Sequence, residues 1–337
     1  MGLKIPPEIK FAQKIVRRHQ LVPPFSVKEI IEKYATVIFD DIPGVDGVSL
    51  NIKVPDKTPT VVVNSTAPKV RQRFTMAHEL GHIIIPWHIG TLIADVADGI
   101  ELSQSEHEAA YAYWELEKEA NRFAAELLMP QEWLSEQVPR YENIAELHEF
   151  VVKQCNVSAW TSAIKLALSL PPHIVFCAES NNEIQYSGRS EGTFANPLLK
   201  GSFFSKDLFP DSYYPYSTDH YTWRSGGNNI HWWRLPSTID STTTDIRNWK
   251  KIQEDIIVDI SYSGNITELK HSLNGIIGSA NSMYMRLGDD YNAEGLVAAC
   301  MQRFHNRDEV TKFVEHPDFK IFLQKRAVDI INKALSK

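Results

Sequence analysis

The sequence predicts an α+β fold in two parts. Residues 1–170 form a helical domain built on a small antiparallel sheet, and residues 171–337 a mixed α/β domain. Three observations predict this. Short alternating runs between Thr36 and Val63 precede a long helix-period segment. Pro171-Pro172 interrupts the chain, and its composition changes afterwards. Finally, 337 residues with 43% hydrophobic and 23% charged side chains are enough to fill two cores.

In chain order, Pro7 to Gln20 reads as an amphipathic helix with Ile9, Ala12 and Ile15-Val16 inward, and Ser26-x-x-Glu29 caps a second helix through Tyr34. Thr36 to Phe39 reads as a strand. Val48, Leu50, Ile52 and Val54 alternate with polar residues as a half-buried strand should, and Pro55-Asp56-Lys57 turns the chain into Thr60 to Val63. Pro68 opens a helix over about 67–85, and Pro86 forbids its continuation. Val70, Phe74, Ala77, Gly81 and Ile84 make its apolar stripe. Gly81 costs such a helix up to about 1 kcal/mol relative to alanine, which suggests that another element approaches closely there. A longer helix spans Ser105 to Met129, with Ala109, Tyr113, Leu116, Ala120, Phe123 and Leu127 recurring at helical spacing before Pro130 ends it.

The first of these long helices carries His78-Glu79-Leu80-Gly81-His82. Positions i and i+4 share a helix face, so His78 and His82 can direct two imidazoles at one zinc ion. Glu79 lies about 100° round the helix. It is placed to deprotonate a metal-bound water and is the expected general base. A catalytic zinc needs a third protein ligand. His88 stands six residues after His82, the metzincin offset, but Ile85 occupies the position of that pattern's glycine. Glu119 is the favoured candidate: it lies one turn from Leu116 and Phe123, at the edge of the second helix's apolar face, whereas Glu117 is expected to point away. A small sheet ahead of a metal-binding helix is the order of a zincin-like α+β metallopeptidase domain.

The segments Arg73 to His82 (RFTMAHELGH) and Glu117 to Pro130 (EKEANRFAAELLMP) resemble the ImmA/IrrE family of metallo-endopeptidases, whose pattern is RFTxAHELGH followed by ExEANxFAxxLLMP. The resemblance covers about residues 7–170 and departs from the family at the long acidic connection from Trp87 to Glu106, which could bear on how a cleft is covered. It implies Zn2+ as cofactor, the glutamate of the EAN triplet, Glu119, as third ligand, and site-specific cleavage of a helix-turn-helix transcriptional repressor. The setting it implies is a stress, DNA-damage or phage and mobile-element response. It also implies a C-terminal sensor or partner-binding domain.

Residues 142–170 imitate a helix-turn-helix, but the second helix offers only Trp160, Thr161, Ser162 and Lys165 toward a duplex, which favours a structural role at the end of the first domain. His173 to Glu179 and Glu183 to Tyr186 read as strands. Tyr213 to Arg234 is dense in aromatics, which favours a small sheet over a groove that stacks single-stranded nucleic acid; a small-molecule signal is the other candidate ligand there. Asn248 to Ser261 reads as mixed structure, and Ile266 to Tyr284, Ala293 to Phe304 and Pro317 to Leu335 as helices.

A net charge of −7 argues against broad nucleic-acid binding. Cys155, Cys177 and Cys300 share no metal or redox spacing and read as buried free thiols of a cytoplasmic protein. No apolar run of membrane-spanning length occurs. Two other readings remain beside the peptidase: a non-proteolytic DNA-binding or ligand-sensing regulator with a structural metal, and a toxin or antitoxin-type interaction protein acting through its C-terminal half.

Overall fold

The computed structural model describes residues 5–95, 104–205, 214, 216–286, 291–305 and 307–336. The chain divides into two compact units, Met1–Ser169 and Leu170–Lys337.

The first unit begins with α1 (Pro7–His19) and α2 (Val27–Ile31), the latter capped by the Ser26 hydroxyl, which accepts from the Glu29 N–H. Four strands follow: β1 (Thr36–Asp40), β2 (Val45–Ile52), β3 (Thr60–Asn64) and β4 (Gly90–Asp95). They form one sheet in the order β1-β3-β2-β4. The expected all-antiparallel sheet is corrected in one respect, because β1 pairs with β3 in parallel, Val37 opposite Val61. β2 occupies the other edge of β3, Val48 opposite Val62, and takes β4 on its far side, Ser49 opposite Leu92. β4 falls within the stretch read from sequence as connection. Whether residues 96–103 of that connection cover a cleft lies outside the described residues.

α3 (Lys69–Ile84) starts after Pro68 and ends where Ile85 turns extended ahead of Pro86. It is buried from Thr75 to His82, the signature of a helix covered on more than one face. α4 (Gln104–Leu128) packs on it, with Ala120, Phe123, Ala124 and Leu127 fully buried. A Cβ added to Gly81 would stand 3.1 Å from Phe123 Cδ1 and 3.3 Å from Ala120 Cα, so the glycine lets the two helices approach closely.

Buried polar groups fasten the rest of this unit. Arg73, in the RFT motif, donates to the carbonyls of Cys155 and Phe25 at 2.9 and 2.6 Å, tying α3 to neighbouring segments. α5 (Gln131–Gln137), α6 (Ile144–Cys155) and α7 (Ala159–Ala167) complete the unit, with Asn143 and Ser158 capping the last two. Buried Glu126 receives Lys165 Nζ at 2.5 Å.

In the second unit β5 (Ile174–Ser180), β6 (Glu183–Arg189), β7 (Asp219–Ser225) and β8 (Asn228–Arg234) form an antiparallel sheet in the order β6-β5-β8-β7. The aromatic stretch supplies the β7–β8 hairpin. Trp232 and Trp233 are fully buried, Trp232 packing on Phe176 at 4.7 Å between ring centroids. Helices α8 (Trp249–Asp259), α9 (Ile266–Met285), α10 (Ala293–Phe304), α11 (Thr311–Val314) and α12 (Phe319–Leu335) build a second core around Leu273, Leu296, Phe304 and Phe322. The expectation of mixed structure over 248–261 is corrected: Asn248 caps a regular helix there, and Ile252, Ile256 and Ile257 face the core. All three cysteines are buried free thiols, and burial lifts Cys155 and Cys300 to about 12. Among the described residues no helix is long and apolar enough to cross a membrane.

Candidate metal centre

One turn of α3 brings His78 and His82 side by side, their Nε2 atoms 3.0 Å apart. Two donors at about 2.0–2.1 Å from a tetrahedral cation stand about 3.3 Å from each other, so the pair is close to the spacing a shared ion requires. Glu117, from α4, closes the group. Its Oε2 lies 3.0 Å from His78 Nε2 and its Oε1 3.3 Å from His82 Nε2. Among the described residues these three form the group of His, Cys, Asp and Glu able to hold a metal ion.

Glu119, expected from the sequence as the third ligand, lies outside this group. Its carboxylate accepts from Trp87 Nε1 at 2.5 Å and meets His88 Nε2 at 2.9 Å, away from the His78–His82 pair. The reason is helix phase. The face of α4 that meets Gly81 carries Ala120 and Phe123, and Glu117 lies one turn before Ala120. The sequence reading took Leu116, which is only half-buried, as a core anchor, and so rotated the face toward Glu119. The meeting of the two small residues Gly81 and Ala120 was the signal that could have found Glu117. His88, the other candidate, is fully buried but directs Nδ1 at His82 Nδ1, 2.8 Å away, and its other nitrogen at Glu119.

Glu79 is buried beside the centre. Its Oε2 accepts from the Ser49 hydroxyl on β2, while Oε1 has no hydrogen-bond partner. Gly47 leaves the space in which Oε1 sits, since a Cβ there would lie 3.1 Å from it. Burial, with the Glu117 charge, lifts the Glu79 carboxyl to about 7 against the opposing effects of His78 and Ser49. Burial also pushes Glu117 upward, but its two histidine neighbours outweigh it and hold that carboxyl well below the usual range. For His78 burial works downward, and Glu117, Glu79 and Asn121 together reverse it to a raised value. Burial dominates at His82, which falls to about 4. Asn121 Oδ1 stands 3.0 Å from His78 Nδ1 and directs that ring's other nitrogen toward the centre. Ser49 and Asn121 carry no motif of their own, and sequence reasoning missed both.

Residues 35–166 match the family model of the IrrE N-terminal-like domain, Peptidase_M78. Over that segment, about two fifths of the chain, the resemblance to the ImmA/IrrE family read from the sequence is supported. The radiation response metalloprotease IrrE of Deinococcus radiodurans is 30% identical over 118 residues, covering 34% of this chain and 33% of that protein. Its namesake in Deinococcus deserti is 29% identical over 132 residues, 38% of this chain and 43% of that protein. The chain thus spans less than half the length of these two relatives. A solved structure of a Mycobacterium tuberculosis transcriptional regulator is similar over 68% of this chain and 75% of its own, at 12% identity and a TM-score of 0.38, too distant a likeness to bear on function. Within the family segment, the group able to hold a metal and the Glu79 carboxyl both come from the HExxH helix and the element packed on it.

Proposed function

We propose that this chain is a zinc-dependent endopeptidase in which His78, His82 and Glu117 hold the ion and Glu79 is the general base. The observation that carries this reading is the convergence of two imidazole nitrogens and one carboxylate on a single point beside a buried carboxyl with an unpartnered oxygen. The donor set fits. Two histidines and a glutamate are a common zinc peptidase shell that leaves one position open, and Glu117 Oε1 is itself buried without a hydrogen-bond partner.

A zinc ion bound there supplies a Lewis acid for a scissile carbonyl and lowers the pKa of a water molecule toward about 7. The protein's own residues do the rest. Glu79 Oε1, buried and without a hydrogen-bond partner, is placed to accept the water proton and carry it to the leaving amine. Ser49 holds Glu79 Oε2, so the proton-transfer oxygen keeps one orientation. Asn121 fixes the His78 ring in the same way.

The motif resemblance implies a helix-turn-helix repressor as the substrate class, and the radiation-response name of two relatives fits a stress response as the setting. The test incubates the zinc-loaded chain with purified helix-turn-helix repressors encoded near it. Cleavage at a single site is expected for wild type, with none for Glu79→Gln at unchanged zinc content. Cleavage that survives Glu79→Gln, or that a chelator leaves untouched, refutes the proposal.

A further inference from the structure

The two residues that compete in the sequence for the third ligand position are bonded to each other in the structure. His88 Nε2 stands 2.9 Å from Glu119 Oε2, and His88 Nδ1 stands 2.8 Å from His82 Nδ1. The protons on this chain of groups can be assigned from one end. The Trp87 indole is a donor only, so Glu119 Oε2 accepts from it, and a carboxylate oxygen accepts again from His88. His88 therefore carries its proton on Nε2 and offers a lone pair at Nδ1. His82 must then donate from Nδ1, which leaves its Nε2 as a bare lone pair directed at the point shared with His78 and Glu117. The opposite tautomer would set two Nδ1 lone pairs against each other at 2.8 Å.

The His88 ring is held for this purpose from the backbone as well. Lys53 Nζ donates to the His88 carbonyl at 2.7 Å and to the His82 carbonyl at 3.1 Å, tying the last turn of α3 to the loop that carries His88. A histidine buried merely as core filling would need neither connection, nor a defined tautomer in its neighbour.

We infer that Glu119 and His88 form a hydrogen-bond relay that fixes His82 in its Nδ1–H tautomer and so presents Nε2 to a divalent cation, His88 being a positioning residue and not a ligand. This rests on the metal reading above. Outer partners of ligating histidines typically govern metal affinity by about 10- to 100-fold. Asparagine at position 88 can place an amide oxygen where Nδ1 stood, whereas leucine fills the space without accepting a hydrogen bond.

The test titrates the full chain with zinc against a chromophoric chelator for wild type, His82→Ala, His88→Leu, His88→Asn and Glu119→Ala. Long-range 15N–1H spectra of histidine-labelled wild type are recorded alongside. His88→Leu should bind zinc about 10- to 100-fold more weakly, His88→Asn should recover most of that loss, and His82 should show its proton on Nδ1. The inference is overturned if His88→Leu binds as wild type does, if it loses zinc as completely as His82→Ala, or if the His82 proton sits on Nε2. The spectrum is read on wild type, so it decides the matter even where His88→Leu fails to fold. Failure of wild type to bind zinc, or binding that survives His82→Ala, sinks the metal reading together with the relay. Normal controls beside a silent His88→Leu sink the relay alone.

Discussion

Removing the Glu117 carboxylate should cost far more zinc affinity than removing Glu119, although both lie on the same turns of α4. Glu117 brings its two oxygens to 3.0 and 3.3 Å from the Nε2 atoms of His78 and His82. Glu119 reaches the centre only through His88. Structural zinc sites with four protein ligands bind with about 10–16 kcal/mol, about 2.5–4 kcal/mol for each ligand on an even split. Deleting one of the three ligands here therefore weakens binding by about 70- to 900-fold. Deleting Glu119 removes an outer partner, worth about 10- to 100-fold. The assay is competition against a chelator of known zinc affinity, with Glu117→Ala and Glu119→Ala measured in one buffer and far-ultraviolet circular dichroism confirming that both are folded. Equal losses, or a larger loss in Glu119→Ala, would refute the assignment of Glu117 and the helix phase on which it rests.

Two further outcomes follow from packing and burial. Gly81→Val should destabilise the protein by about 1–3 kcal/mol in urea unfolding, because a Cβ already stands closer than ordinary contact to Phe123 and the Ala120 backbone. It should also lower zinc affinity by moving α4, and with it Glu117, away from α3. His148 is fully buried with Nε2 on Ala159 O at 3.0 Å and Ser162 Oγ at 2.8 Å, and burial pushes it down from 6.5 to about 3. Folding thus favours the neutral ring, so its contribution is intact above the ordinary imidazole value and is lost as the pH falls from there toward about 3. At about pH 5 the loss is about 2 kcal/mol relative to about pH 7.5. The stability difference between those two conditions should shrink by that amount in His148→Gln, and an unchanged difference would contradict the burial argument.

Much of this was legible in the chain because periodic burial writes itself into sequence. The stripe from Val70 to Ile84 and the prolines at 68 and 86 place α3 within two residues, and Gly81 announced a close neighbour before that neighbour was known. α9, α10 and α12 were readable for the same reason. What escaped was set by non-local geometry. A phase error of two residues in α4 turns the helix by about 200°, which exchanges Glu117 for Glu119 without disturbing the apolar pattern. Parallel pairing of β1 with β3 depends on β2 reaching across β3, which no local run encodes. β4 is short and leads into an acidic stretch, and its place in the sheet comes from β2. Ser49 and Asn121 are ordinary polar residues until the fold puts them against Glu79 and His78.

Diffraction from zinc-loaded crystals on either side of the zinc absorption edge locates the ion itself. One anomalous peak per chain is expected, about 2.0–2.2 Å from Nε2 of His78, Nε2 of His82 and a Glu117 oxygen, with His88 and Glu119 outside the coordination shell. A peak ligated by His88 or Glu119, or no peak between α3 and α4, would contradict it.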